Sequence, residues 1–354
     1  MSLYESEDPD MTTDLDTPPP APPAGGDPAP PLGPWRRALR GLASSPAAVL
    51  SGLGILLIVL AMALAPAYAK YVAKTDPFRS GLSAKIMIDG TRVPVMQRST
   101  EGLGLGVTPI GPTWGPQYFL GADNQGRDVA ARFLYGGQNS LFIAGAATLL
   151  CLACAALVGI VAGYAGGAID AVLSNLIDMI WAFPVYLLAI SLSIVMLGKS
   201  FDFGPIHLSS SSLILPIVII GLVYVPYVAR PVRGRVIAIT NSEFVLAARA
   251  LGIRPSRILW RHILPNVATT LIVFAPMLMA LNIVTESSLS FLSVGVQAPN
   301  ASWGTILQDG QALLYSRPVV SMAPGIAIMV TVMLLNLFGD VLRDILDPKS
   351  VRGR

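Results

Sequence analysis

Residues 140–164 read SLFIAGAATLLCLACAALVGIVAGY and contain no charged side chain. At 1.5 Å of rise per residue, a helix of that length exceeds the roughly 30 Å of hydrocarbon in a bilayer. The rest of the 354-residue chain follows the same chemistry. It is 53% hydrophobic and 13% charged, with a mean hydropathy of +0.63, whereas a soluble domain is about a quarter charged. The composition therefore describes a polytopic membrane protein. It argues against a soluble enzyme, a nucleic-acid-binding module and a secreted disulfide scaffold. Cys151 and Cys154 both lie inside the quoted run, three residues apart on one helix face, and read as small packing residues. With only His207 and His262 present, a histidine-based metal site or catalytic triad has almost nothing to draw on.

Working outward, five further apolar segments cover about 47–67, 171–197, 212–229, 267–285 and 319–339. Prolines inside them, such as Pro184, Pro216 and Pro276, are compatible with spans because neighbouring helices re-satisfy the freed carbonyls. Gly159, Gly163, Gly166 and Gly167 thin the end of the second span, where helices can approach closely. Residues 1–34 carry ten prolines, seven acids and no Lys or Arg, a composition expected to remain a disordered cytoplasmic tail. Residues 35–42 place Trp35, Leu39 and Leu42 opposite three arginines. That suits a surface helix against membrane lipid, or equally a basic flank of the first span, within a segment 35–67. With the amino terminus inside, short inner segments hold 14 basic residues and short outer loops hold 2. The positive-inside rule then puts both termini in the cytoplasm, including the tail 346–354. Segment 68–139 becomes an external insertion, with short strands expected at 84–89 and 91–93, and 140–345 a five-span core.

The loop 230–266 holds seven arginines and one acid. Its centre reads EFVLAARALGIRPSRILWRHILPN from Glu243 to Asn266. This pattern predicts a short helix ending at Gly252, a turn at Pro255, and a second helix stopping before Pro265. Ala247 and Ala248 leave a shallow surface that another protein can approach. A basic loop held on anionic lipid would explain the arginines, but not the paired alanines and the glycine stop.

Ala247-Ala248, Gly252 and Leu264-Pro265 together resemble the "EAA" loop of permease subunits of binding-protein-dependent ABC importers. Leu246 stands where the family has glutamate, and His262 where isoleucine is usual. Residues 120–128, LGADNQGRD, resemble the family segment before the second span. Residues 286–292, ESSLSFL, with Gly295-Val296-Gln297 and Ser302-Trp303-Gly304, resemble the segment after the fifth. The likeness is to the C-type permease of the dipeptide/oligopeptide/nickel subfamily and covers about 35–345. It implies an all-α membrane fold with six spans of the type I importer kind. It also implies a homologous second permease, two ATP-binding subunits that hold ATP and Mg, and an external solute-binding lipoprotein, in the inner membrane of a prokaryote. The loop helix would dock on an ATPase subunit through Glu243, Ala247, Ala248, Arg249 and Gly252, flanked by Arg254 and Arg257. No cofactor and no nucleic acid is expected on this chain.

Gly198-Lys199-Ser200 lacks the glycine a phosphate loop needs five positions earlier, where Ser193 stands. Tyr135-Gly136-Gly137-Gln138 lacks the serine of an ABC signature. The chain is thus expected to borrow its ATPase and not to be an enzyme. Asp178 within the third span is a functional candidate by position, for a translocation path or a proton relay. Its structural reading is an ion pair with Arg230 or Arg233. Glu286 either lines the path or caps Ser287 and Ser288. Asp123, Arg127 and Asp128 pair locally or meet the solute-binding protein. Nickel or another chelated metal is the alternative cargo. A lone proton-coupled carrier and an intramembrane hydrolase are the rivals from other classes, and the spans offer the latter no His or Lys base.

Overall fold

The computed structural model describes residues 34–88, 90–99, 106–196, 201–203, 206–208 and 212–346. The tail 1–33, the segment 347–354, and Lys199 with its neighbours lie outside the described residues. Helix Pro34–Ser44 precedes the first span, Pro46–Ala63, and Ser45 caps the latter by accepting from the Ala48 N–H.

The second span, Val129–Ala165, is the hub of the bundle, and helices of the first, third, fourth, fifth and sixth spans pack on it. Its helix begins at Val129, eleven residues before the apolar run. The reason is local. Asp128 caps the helix by accepting from the Ala130 and Ala131 N–H groups, and Arg132 is neutralised where it stands.

The third span is broken into Gly167–Trp181 and Val185–Met196, which meet at 87°. Pro184 falls at that break, where it has no N–H to continue the helix, and the Ile180 carbonyl accepts from the Phe183 N–H at 3.3 Å. The fourth span bends by 45° between Ile214–Val223 and Val225–Thr240, and reaches well past residue 229. The fifth runs as Leu264–Phe291, but its helix starts earlier. Pro255–Ile258 leads into a π turn, Leu259–Ile263, and on through Pro265. The expected stop before Pro265 does not occur. Leu264 N–H bonds back to Leu259, a register that passes over the proline's missing donor. Helix Trp303–Gln311 and the sixth span, Val319–Leu346, complete the bundle. Four of these helices are long and apolar enough to cross a membrane, and six spans result when each bent pair is one span.

The insertion carries two antiparallel hairpins, Lys85–Ile88 with Thr91–Pro94 and Met96–Arg98 with Val107–Pro109. The first lies where alternation placed it. Ile86, Val95, Ile110, Tyr118 and Ala122 form its small core.

Gly159 and Gly163 are where the second and fourth spans touch, whereas a Cβ at Gly166 or Gly167 would meet nothing within 4 Å. A Cβ at Gly159 would lie 2.7 Å from Val232 Cγ1 and 2.9 Å from the Ala229 carbonyl. At Gly163 it would lie 2.8 Å from Val236 and 2.9 Å from the Arg233 carbonyl. Backbone cannot yield as a flexible side chain does, so Gly159→Leu should cost about 1–3 kcal/mol or more. Thermal unfolding in detergent should register the loss. Gly145→Leu on the same helix meets open space and should unfold with the wild type. Equal midpoints for the two variants would disprove the close approach.

Candidate functional site

The loop after the fourth span folds into the helix Glu243–Ala250 and the start of the fifth helix. Two residues of the short helix, Val245 and Ala248, are buried, and they join Ile258, Ile263 and Val267 in one cluster continuous with Val232 and Val236 of the fourth span. The loop is therefore part of the bundle core. Its end is a Schellman turn. Ile253 N–H bonds to the Ala248 carbonyl at 3.1 Å, Gly252 N–H to the Arg249 carbonyl at 2.9 Å, and Gly252 has φ +74°. Ile253 then packs against the same cluster. Tyr164, at the end of the second span, braces both halves. Its hydroxyl donates to the Pro255 carbonyl at 3.3 Å, and its ring lies 5.7 Å beneath the Arg249 guanidinium. Phe244 meets His262 at 5.8 Å between rings.

This packing changes the reading of the paired alanines. Ala248 is 8% exposed and faces the chain's own core, while Ala247 faces out. Of the pair, only Ala247 is exposed. Phe244, Leu246, Leu251 and Trp260 are exposed on the loop, with Leu251 81% exposed. Glu243, Arg249, Arg254 and Arg257 are exposed beside them. Sequence reasoning missed the apolar four. The spacing of Phe244, Ala247 and Leu251 at i, i+3 and i+7 was the available signal.

The acids sort into four settings. Asp178 pairs with Arg230 at 2.6 Å, and Asp170 pairs with Arg233 through both carboxylate oxygens, at 2.5 and 2.6 Å. These two bridges tie the first half of the third span to the second half of the fourth. Glu286 is buried among serines. Ser290 donates to it at 2.7 Å and Ser140 at 2.7 Å, with Ser287 at 3.4 Å, while Ser288 bonds to the Val284 carbonyl instead. Ser140 and Ser290 also accept from the Trp303 and Val296 N–H groups, so Glu286 anchors the segment after the fifth span.

At the insertion end, Arg127 and Arg132 lie between Asp123 and Asp309. Arg127 is 2.7 Å from Asp123 and 2.8 Å from Asp309, and Arg132 is 3.3 and 3.1 Å from them. Two cations and two anions cancel in a mostly buried site, which joins the insertion, the second span and the helix Trp303–Gln311. Asp128 stands apart from that network. It accepts from the Tyr118 N–H at 2.9 Å and the Thr75 hydroxyl at 3.2 Å. Burial pushes its carboxyl above the usual range, opposed by those bonds and by the Ala131 and Ala130 N–H groups. Burial likewise raises Asp309, opposed by Arg132 and Arg127. Among the described residues no cluster of His, Cys, Asp and Glu is arranged to hold a metal.

The left-handed residue gives a direct test of the loop's geometry. A β-branched side chain at φ +74° is strained by about 1–2 kcal/mol, with no contact to relieve it. Gly252→Val should leave the spans inserted and displace the turn from the bundle, which protease cleavage near Arg254 would report as faster. Gly252→Asn should behave nearly as wild type. Cleavage of Gly252→Val at the wild-type rate would contradict the role of the turn.

Residues 155–352, more than half of the chain, match the family described as binding-protein-dependent transport system inner membrane component. A dipeptide transport system permease protein of Alkalihalophilus pseudofirmus is 36% identical over 233 residues, covering 66% of this chain and 72% of that protein. A glutathione transport system permease protein of Pectobacterium atrosepticum is 32% identical over 316 residues, covering 89% and 91%. An oligopeptide transport system permease protein of Bacillus subtilis is 36% identical over 232 residues, covering 66% and 72%. With its broken spans, its short helical loop and these similarities, the chain belongs to the family of binding-protein-dependent transport system inner membrane components.

Proposed function

We propose that this chain is a permease subunit of an ATP-driven importer for di- or oligopeptides. It forms the translocation path with a second, homologous permease and is driven by two separate ATP-binding subunits. An external solute-binding lipoprotein delivers the cargo. The chain lies in the inner membrane of a prokaryote with both termini in the cytoplasm, an orientation supported by the basic residues of its short loops. ATP and Mg belong to the ATPase subunits. Three relatives, named for dipeptide, oligopeptide and glutathione transport, support a peptide cargo over nickel.

The observation that carries this reading is the loop helix Glu243–Ala250. One face is fixed in the core of the fourth and fifth spans, and the other presents Phe244 and Leu251 to solvent. Exposed apolar side chains ringed by arginines suit a protein partner better than water. A body pushed on that face transmits the push directly to two spans. A lone proton-coupled carrier would have no use for such a surface.

The test replaces residues on the open face only. Leu251→Glu and Phe244→Glu should reduce co-purification of the ATP-binding subunits by about tenfold each, as interface anchors do. Membrane insertion and pairing with the second permease should persist. Ala248→Glu would bury an unpaired charge in the loop's own core and destabilise the chain itself, so it serves as the contrasting variant. Unaltered co-purification with Leu251→Glu and Phe244→Glu would rule out the loop as the docking element.

A further inference from the structure

Asp178 and Arg230 lie on span helices, yet Asp178 is 60% exposed and Arg230 42%. An ionised pair on a span surface does not face lipid tails. Charged groups within spans turn to the bundle interior, to a water-filled cavity or to another protein. The neighbours of this pair form one connected strip. The Arg230 guanidinium lies 5.2 Å over the Trp181 ring, and Trp181 stacks on Tyr227 at 6.0 Å. Tyr227 meets the edge of Phe274 at 6.1 Å and donates its hydroxyl to Met277 Sδ at 3.7 Å. Three separate helices supply these six residues: Gly167–Trp181, Val225–Thr240 and Leu264–Phe291. Trp181 and Met277 are exposed. By contrast, the first span exposes only leucines and other apolar groups around Leu57, as a lipid-facing surface should.

We infer that the strip Asp178, Trp181, Tyr227, Arg230, Phe274 and Met277 is this chain's wall of the aqueous path, and that passing peptides exchange with the Asp178–Arg230 pair. The inference rests on the importer reading and adds the groups that handle the cargo. A peptide carries an ammonium at one end and a carboxylate at the other. The pair offers the complementary charges with no net charge of its own. Both guanidinium contacts use Asp178 Oδ1, so Oδ2 is not engaged by Arg230. The adjoining rings and thioether give cargo side chains an apolar surface without selecting one shape. A bare divalent cation would find the acid already neutralised, so the strip suits a zwitterion and not a metal ion.

The test uses the complete transporter in proteoliposomes, with Cys151 and Cys154 of this chain replaced by alanine. Trp181→Cys and Met277→Cys are each treated with a membrane-impermeant maleimide, and Leu57→Cys serves as the lipid-facing control. Thiol reaction requires the thiolate, and hence water. The two strip positions should react at least about tenfold faster than Leu57→Cys. If neither reacts faster than the control, the strip is covered by lipid or by the second permease, and the inference is overturned. Uptake of dialanine then reads the exchange. Asp178→Asn should lower its rate by about tenfold and Asp178→Glu should restore it, with maleimide reactivity unchanged in both. Wild-type uptake by Asp178→Asn would refute the exchange. Because labelling requires no cargo, a transporter that moves no peptide would remove the importer reading separately, while the reactivity of the strip still reports whether it faces water.

Discussion

The structure depends on a patch of hydrocarbon outside the apolar runs. Val245, Ala248, Ile258 and Ile263 of the loop share one buried cluster with Val232, Val236 and Val267 of the fourth and fifth spans. A loop held only by its two ends would bend under load. This one has its inner face in the core, its turn closed by Gly252 and Ile253, and its flank braced by Tyr164 of a third helix. The same packing that leaves Phe244 and Leu251 exposed makes them useful, because a surface fixed to the bundle can pass displacement to it. Coupling by a rigid element of this kind is one of the ordinary ways in which a local contact becomes a movement of helices.

The other polar contacts repeat this arrangement at other levels of the bundle. Arg230 and Arg233 hold the two broken spans together through Asp178 and Asp170. Glu286 gathers Ser140 and Ser290, and through them the N–H groups of Trp303 and Val296. Asp123, Arg127, Arg132 and Asp309 join the insertion to the core. Breaking the Glu286 or Asp123–Arg127–Arg132–Asp309 contacts by removing one partner leaves a buried polar group without compensation, and the penalty is larger than the net worth of the intact pair. The Asp178–Arg230 and Asp170–Arg233 pairs are the exception, since they are more exposed and water can replace either partner.

Much of this was legible in the residues. Apolar length gave the spans, Gly252 gave the helix stop, Gly159 and Gly163 gave the close approach, and alternation gave the first hairpin. What could not be read was set by partners distant in sequence. The apolar run began at residue 140 while the helix begins at Val129, because Asp128 caps it there and Asp123 and Asp309, the latter far along the chain, neutralise Arg132. Pro265 signalled a stop because a π turn upstream leaves no mark in composition. Ala247 and Ala248 looked equivalent as adjacent small residues, and only the position of the fifth helix decides that Ala248 turns inward. Glu286 was ambiguous because its serines come from two helices and their backbone donors from a third segment.

The central claim is that the loop and the spans move as one body. Spin labels at Ala168, beside the end of the second span, and at Ala250, on the loop helix, are both on exposed positions. Pulsed electron resonance can measure the distance between them in the assembled transporter, without nucleotide and with ATP trapped. The account predicts that this distance stays within about 2 Å, while the distance from Ala250 to the equivalent loop of the proposed second permease changes by more. A loop that shifts against Ala168 while the distance between the two loops stays fixed would contradict it.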